Sequence, residues 1–326
     1  MRKKLTALLL GCAVVFGLFA GMVGEAAAEV AWPTRPVQLI VPFPPGGDTD
    51  FYARTYAPLL EEIFGQPFTI VNIAGAGGTI GATQASMAEP DGYTVLFYHS
   101  GNMFTNILVG ATELNHHDFA MSNVAVFCDA TVLVAGVQAE FTDAADFLER
   151  ARANPMRYNV ATTIPGFSFF ALRKMELAGD FRVNAVDVGG AGPMIASVLG
   201  GHTELAAAPY AVMRQYIESG DMIALMVSAA ERNPNFPDIP TVEEMGLTGA
   251  SIGRAYFFAF PLGTDEAIVR RLSDAVGEIQ NNPELAENMR QAFAIEPFFL
   301  PTEEAMRFLD EIWEDMEAYR DRLMEN

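Results

Sequence analysis

Two glycine-bearing stretches place backbone amides where a small anion could be held. The first is Val41-Pro-Phe-Pro-Pro-Gly-Gly-Asp-Thr-Asp50; the second is Ala74-Gly-Ala-Gly-Gly-Thr-Ile-Gly81. Each follows a short apolar run and precedes a segment with helical spacing, so each reads as strand, glycine turn, helix. The unpaired N–H groups at a helix start, together with the positive end of the helix dipole, suit a carboxylate or phosphate. Asp48 or Thr49 is expected to cap the first helix, because both side chains accept from free N–H groups. The candidate anion-binding residues are therefore Phe43, Gly46, Gly47, Asp48, Thr49 and Asp50 from the first loop. Gly75, Ala76, Gly77, Gly78 and Thr79 come from the second.

Further candidates lie at other strand ends. Ser100 follows the apolar run 93–98. Thr162, Thr163 and Ser168 are short hydroxyl residues on a loop after a strand near 158–161. Asp187 precedes Gly189-Gly190, and Pro209 closes the run 205–208. Ligands of open α/β sheets sit at the carboxyl ends of strands, which is where all of these fall.

Other chemistries fit less well. The second loop lacks the third glycine of G-x-G-x-x-G, having Ile80 there, and the first lacks the Lys-Ser/Thr of a P-loop. No G-x-S-x-G elbow is present. His116-His117-Asp118 has neither a helical i, i+4 partner nor a nearby cysteine. It reads as a solvated loop, so no metal and no cofactor are expected. An enzyme acting on an organic acid would need a general base, and His99 or Asp187 would have to serve.

The net charge is −21 over 326 residues. Nucleic acid is excluded as a partner by that balance, and any anion must be held locally, through amides and helix ends. Arg2, Lys3 and Lys4, an apolar stretch and Ala26-Ala27-Ala28 resemble a secretory signal cleaved near Ala28. The chain is accordingly expected to be exported, with 1–28 as signal peptide; Leu9-Leu-Gly-Cys12 faintly resembles a lipoprotein box, but most of the apolar residues lie after the cysteine, so lipidation there is not the expectation. Cleavage leaves −23, with Cys128 and Lys174 as the only cysteine and lysine, so no intrachain disulfide can form.

The elements that must position these residues alternate. Strands are expected at 37–41, 68–71 and 93–98 with helices between them, which implies a parallel doubly wound sheet. Residues 115–123 read as polar and irregular. A second α/β unit, 128–253, carries strands near 130–135, 158–161, 183–188, 205–208 and 223–227. A strand at 254–260 then leads into helices with almost no strands of their own, which must return to the first sheet. The expected organisation is one discontinuous domain, 29–127 plus 254–326, and a second, 128–253. A double crossover near 127 and 253 makes a hinge over a cleft.

The ordered matches Trp32-Pro-Thr-Arg-Pro-Val-Gln-Leu-Ile-Val-Pro-Phe-Pro-Pro-Gly-Gly47, Gly75-Ala-Gly-Gly78, Asp91-Gly-Tyr-Thr94, Gly190-Ala-Gly-Pro193, Pro237-Asp-Ile-Pro-Thr241 and Pro301-Thr-Glu-Glu304 resemble the Bug-type solute receptors of tripartite tricarboxylate transporters. The resemblance implies a two-domain periplasmic binding protein of the type II, Venus-flytrap kind, each domain a doubly wound sheet with flanking helices. It implies no enzymatic activity. A monomer would capture a small carboxylate, possibly a di- or tricarboxylate or an aromatic acid, and pass it to two membrane subunits. It also implies that loops 43–50 and 75–81 hold one ligand carboxylate. A receptor serving a signalling partner would look the same. This chain departs from the family in having Asp48 where a small residue is usual. Val186-Asp-Val-Gly-Gly190 also stands where a tyrosine and a basic residue are usual, and Phe169-Phe170 follow the 162–168 loop.

Overall fold

A computed structural model describes residues 31–139 and 141–323; the expected signal segment and its cleavage point lie outside them. Eleven strands are named among these residues: β1 (Val37–Val41), β2 (Phe68–Asn72), β3 (Thr94–His99), β4 (Phe119–Cys128), β5 (Thr131–Gly136), β6 (Asn159–Thr162), β7 (Asn184–Asp187), β8 (Leu205–Pro209), β9 (Met222–Val227), β10 (Arg254–Pro261) and β11 (Leu300–Pro301). They form two mixed sheets. One has the order β11-β4-β10-β3-β1-β2 and the other β7-β6-β8-β5-β9.

In the first sheet β1 pairs in parallel with both β2 and β3, as the strand–helix–strand rhythm requires. Strand β10 lies between β3 and β4, antiparallel to each. All eight of its residues are buried, which is why its sequence is almost unbroken in apolar and aromatic side chains. In the second sheet β6 is parallel to β7 and β8, while β5 is antiparallel to β8 and β9. Helices after β10 supply only the two-residue β11 and otherwise pack on the first sheet. Leu309 of helix Thr302–Glu317 shares a core with Leu96, Phe104 and Phe257.

Two segments differ from expectation. Residues 119–123 are strand, not irregular chain. Ser122 and Asn123 are polar yet fully buried, because the Ser122 hydroxyl donates to the Val269 carbonyl at 3.1 Å and lies 3.0 Å from Asn123 Oδ1. Residues Ser100–Leu108 form a helix that the sequence reading passed over. It starts at once after β3, with no turn residues to announce it.

The chain passes between the sheets at 129–130 and again through 228–253. Ser228 ties the two passages together: its N–H donates to the Thr131 carbonyl at 2.8 Å, its carbonyl accepts from Ile252 N–H at 2.9 Å, and its hydroxyl donates to the Ile252 carbonyl at 3.1 Å. Helix Phe167–Gly179 also spans both halves. Its Phe167 and Phe170 belong to the first sheet's core, and its Leu172 and Met175 to the second's.

Candidate functional site

A cavity of about 560 Å³ draws its walls from both sheets. One wall is Phe43 to Asp48 with His99, Asn102 and Arg254; the facing wall is Thr163, Gly166 to Ser168, Gly189 to Met194, Pro209 and Val212. A groove of about 680 Å³ between helices Asp48–Phe64 and Pro283–Phe293 shares no residue with it and contains neither glycine loop. The cleft is the better site because charged groups and two helix starts converge there.

The first glycine loop stands as expected, but its cap does not. Helix Asp48–Phe64 begins after Gly47, and no side chain caps it. Asp48, as the first helical residue, instead takes Thr49 N–H at 2.7 Å. Asp50 turns back and accepts Gly46 N–H at 2.9 Å, Arg54 Nε at 2.8 Å and Asn72 Nδ2 at 2.9 Å. Those bonds fix the loop against β2, where Gly46 adopts φ +89°, and they turn the Asp50 carboxylate out of the cavity lining. Thr49 is buried behind it.

Asp48 does line the cleft, and its partner is Arg254, the first residue of β10. Arg254 Nη2 lies 3.0 Å from Asp48 Oδ2, and the same oxygen accepts the Tyr256 hydroxyl at 2.7 Å. The guanidinium sits 5.3 Å from the Phe167 ring centre and 5.7 Å from that of Tyr256. Only 5% of Arg254 is exposed, yet its Nε and Nη2 donate no aligned hydrogen bond, the Asp48 contact being an ion pair without hydrogen-bond geometry. Buried donors are almost always paired, so this arginine is short of an acceptor. Burial pushes the Asp48 carboxyl up, but Arg254 above all, then His99, the Tyr256 hydroxyl and Thr49 N–H, outweigh it and hold the acid below its usual range. Burial likewise opposes the Arg254 charge, and Tyr256 and Asp48 more than offset that.

His99 is buried against the Phe43 ring, 5.2 Å between centres and 7° from parallel. Its Nδ1 accepts Asn102 N–H at 3.2 Å and so caps helix Ser100–Leu108. Burial and then Arg254 depress its pKa to about 3, which makes it a neutral ring and a very weak base at pH 7. Asn102 bridges the halves, donating to the Gly77 carbonyl at 3.3 Å and accepting Phe167 N–H at 3.4 Å.

The second glycine loop is placed differently from the expectation. Gly75, Ala76, Gly77, Gly78 and Thr79 are not among the cavity-lining residues. The Gly77 carbonyl points inward and takes Tyr98 Oη at 2.8 Å, Asn106 Nδ2 at 3.1 Å and Asn102 Nδ2. Gly78, at φ +99°, has no room for a Cβ, which would lie 2.6 Å from the Tyr98 hydroxyl oxygen. The glycines here serve close packing behind the wall.

Of the remaining expected residues, Thr163, Ser168 and Pro209 line the cleft with Phe43, Gly46, Gly47 and Asp48. Ser100 does not, since its hydroxyl accepts Ala255 N–H at 3.0 Å and is fully buried. Thr162 is buried at the end of β6. Asp187 accepts Ile164 N–H at 3.1 Å and Gly189 N–H at 3.2 Å, which shapes the loops rather than the lining. The sequence reading missed Arg254 and Asn102, and the start of helix Ala191–Leu199 at Gly190; it named His99 only as a general base for an enzyme, whereas the ring lines the cleft as a neutral helix cap. A charged residue opening an otherwise apolar strand at the expected crossover was the signal for Arg254.

The pattern of the tripartite tricarboxylate transporter family receptor matches residues 52–320. The chain is 29% identical to Protein BugT of Bordetella pertussis over 281 residues, 84% of this chain and 85% of the relative. MatC from Rhodopseudomonas palustris with bound malate superposes with a TM-score of 0.75 at 26% identity, over 90% of this chain and 100% of that one. R. palustris Rpa4515 with adipate gives a TM-score of 0.77 at 26% identity, over 90% and 97%.

Proposed function

Because the chain belongs to the tripartite tricarboxylate transporter receptor family, we propose that it is a periplasmic receptor whose two lobes close on a small organic acid. It holds one ligand carboxylate between Arg254 and the amides opening helix Asp48–Phe64. The observation that carries this is Arg254 itself, a buried cation with unmet donors in a cleft lined from both sheets. An incoming carboxylate supplies the acceptors that the guanidinium lacks, and charge-assisted bonds of this kind are the strong ones. Asp48, itself held by the Tyr256 hydroxyl, pairs with the guanidinium and keeps it in place. Relatives with bound malate and adipate make a small carboxylate the ligand class to test first.

The moving bodies in this reading are 29–127 with 254–326 and 128–253, hinged at the passages tied by Ser228. Export by a signal ending near Ala28, a monomeric state and delivery to two membrane subunits complete the reading. Closure on the ligand is the event the membrane partners would sense, as a shift toward the form the ligand binds better. It is a receptor's role and involves no chemistry; His99 is committed as a helix cap and Asp187 as a loop brace. The test is a melting-temperature screen of mono-, di- and tricarboxylates followed by calorimetry, since bound ligand stabilises the fold by mass action. Saturable binding of at least one carboxylate at one site per chain is expected. No response to any carboxylate would end the proposal.

A further inference from the structure

In sequence the neighbour of His116-His117 is Asp118, but its carboxylate is taken up by the Asn115 N–H; the fold supplies a different carboxylate from far along the chain. Asp310, on helix Thr302–Glu317, places Oδ1 at 2.9 Å from His116 Nε2 and 2.8 Å from His117 Nε2. One ligand atom from each residue lies within 4.8 Å of the others, the one such group of three among the described residues. We propose that His116, His117 and Asp310 form a binding site for a transition-metal dication of the zinc class.

The donor set points to that class. Two imidazole nitrogens and one carboxylate oxygen suit zinc and its neighbours, with water in the fourth position, whereas calcium and magnesium take mostly oxygen. The site is also preformed. Asn115 Oδ1 accepts His117 N–H at 2.8 Å, and Asp118 Oδ2 accepts Asn115 N–H at 2.8 Å, a reciprocal cap that fixes the turn carrying both histidines. His116 is buried edge-on to Phe104, 5.2 Å between ring centres, so its ring cannot swing away. His117 and Asp310 are 57% and 42% exposed, which leaves an open side for the ion and its water.

Some adjustment is needed. Donor atoms around a tetrahedral ion at about 2.0–2.1 Å stand roughly 3.3 Å apart, so the half-exposed Asp310 carboxylate must draw back by several tenths of an ångström. Ligation through Nε2 also puts each ring proton on Nδ1. Water can meet that proton on His117, but His116 Nδ1 is buried without a hydrogen-bond partner. The site is therefore weaker than a closed structural zinc site, and it favours ions with high affinity for imidazole. A bound ion would join the turn before β4 to a helix 193 residues on, so binding should raise the melting temperature.

The test uses untagged, chelator-treated full-length protein titrated with zinc chloride, with calcium and magnesium chloride as controls. Calorimetry and thermal melting read the result. Expected are one saturable zinc site per chain, a raised melting temperature and no such response to calcium or magnesium. His117→Ala and Asp310→Asn should each weaken zinc at least about tenfold, whereas His202→Ala should leave it unchanged. His117 is exposed, so its variant keeps the fold, which far-ultraviolet circular dichroism verifies. Absence of zinc binding, or binding unaltered in both variants, overturns the assignment.

Discussion

Arg254→Met removes the one arginine or lysine that lines the cleft among the described residues, while keeping a side chain of similar reach. Two losses follow, and they can be separated. The first concerns ligand. Hydrogen bonds to a charged group contribute about 1.5–3 kcal/mol each, so the tightest carboxylate found in the screen should bind about 10–150-fold more weakly. The second concerns the fold. At 3.0 Å, the Asp48–Arg254 attraction is about 5.5 kcal/mol at an effective dielectric of 20. Desolvation offsets much of that, and removing one partner of a buried pair costs about 3–5 kcal/mol because the other is left uncompensated. For a chain of this size that is a fall of roughly 5–8 °C in melting temperature.

The deficit also has a pH dependence with a definite sign. In the native protein the Asp48 pKa is held below the ordinary aspartate value of 3.8, so this acid contributes stability above that pH and loses it as pH falls through the depressed value. Without Arg254, burial dominates and the folded-state pKa rises. The variant is then worst at neutral pH, and its gap to the native protein narrows as pH falls. Arg254→Met with Asp48→Asn removes both charges and should recover most of the melting temperature without recovering affinity. Calorimetry at pH 7 and melting from pH 7 down to pH 3 measure the affinity loss and the narrowing gap. If a folded Arg254→Met variant binds its best carboxylate as tightly as the native protein, the assignment of the anion site is refuted.

Lys174 is 1% exposed and pairs at 2.6 Å with Asp315 of helix Thr302–Glu317, beside the Tyr319 ring. Asp315→Asn should destabilise by about 1–3 kcal/mol, less than a fully buried pair because Asp315 is half-exposed, and Lys174→Met in the same chain should return most of it; urea unfolding decides. Gly78→Ala places a Cβ 2.6 Å from the Tyr98 hydroxyl oxygen at a backbone angle that disfavours side chains, and should cost about 1–3 kcal/mol by the same assay. An equally stable Gly78→Ala variant would mean the loop does not need its glycines for packing.

Much of the fold was legible because it follows from local pattern. Apolar runs bounded by Gly and Pro marked β1, β2, β8 and β10 within a residue or so, and the strand–helix rhythm implied the parallel pairing of β1 with β2 and β3. The crossovers near 127 and 253 were implied by helices that had no sheet of their own. Strand β4 was hidden at its start because Ser122 and Asn123 are polar, and only partners distant in the chain make them tolerable in a core.

The site divides along the same line. Gly46-Gly47 before a helix is a local arrangement, and the sequence alone marked it as anion-ready. The two glycine loops looked alike in sequence, yet one faces the cleft and the other packs against Tyr98 and Asn106, because the direction of a carbonyl depends on what is stacked behind it. Arg254 lies 206 residues from Asp48, and Asp310 lies 193 from His117; pairs at such separations are made by sheet order and helix packing. Residue types and short spacings thus determined the receptor's architecture and its first loop. Only the tertiary structure decided which charges meet in the cleft, since a contact between distant segments has no trace in the spacing of either one.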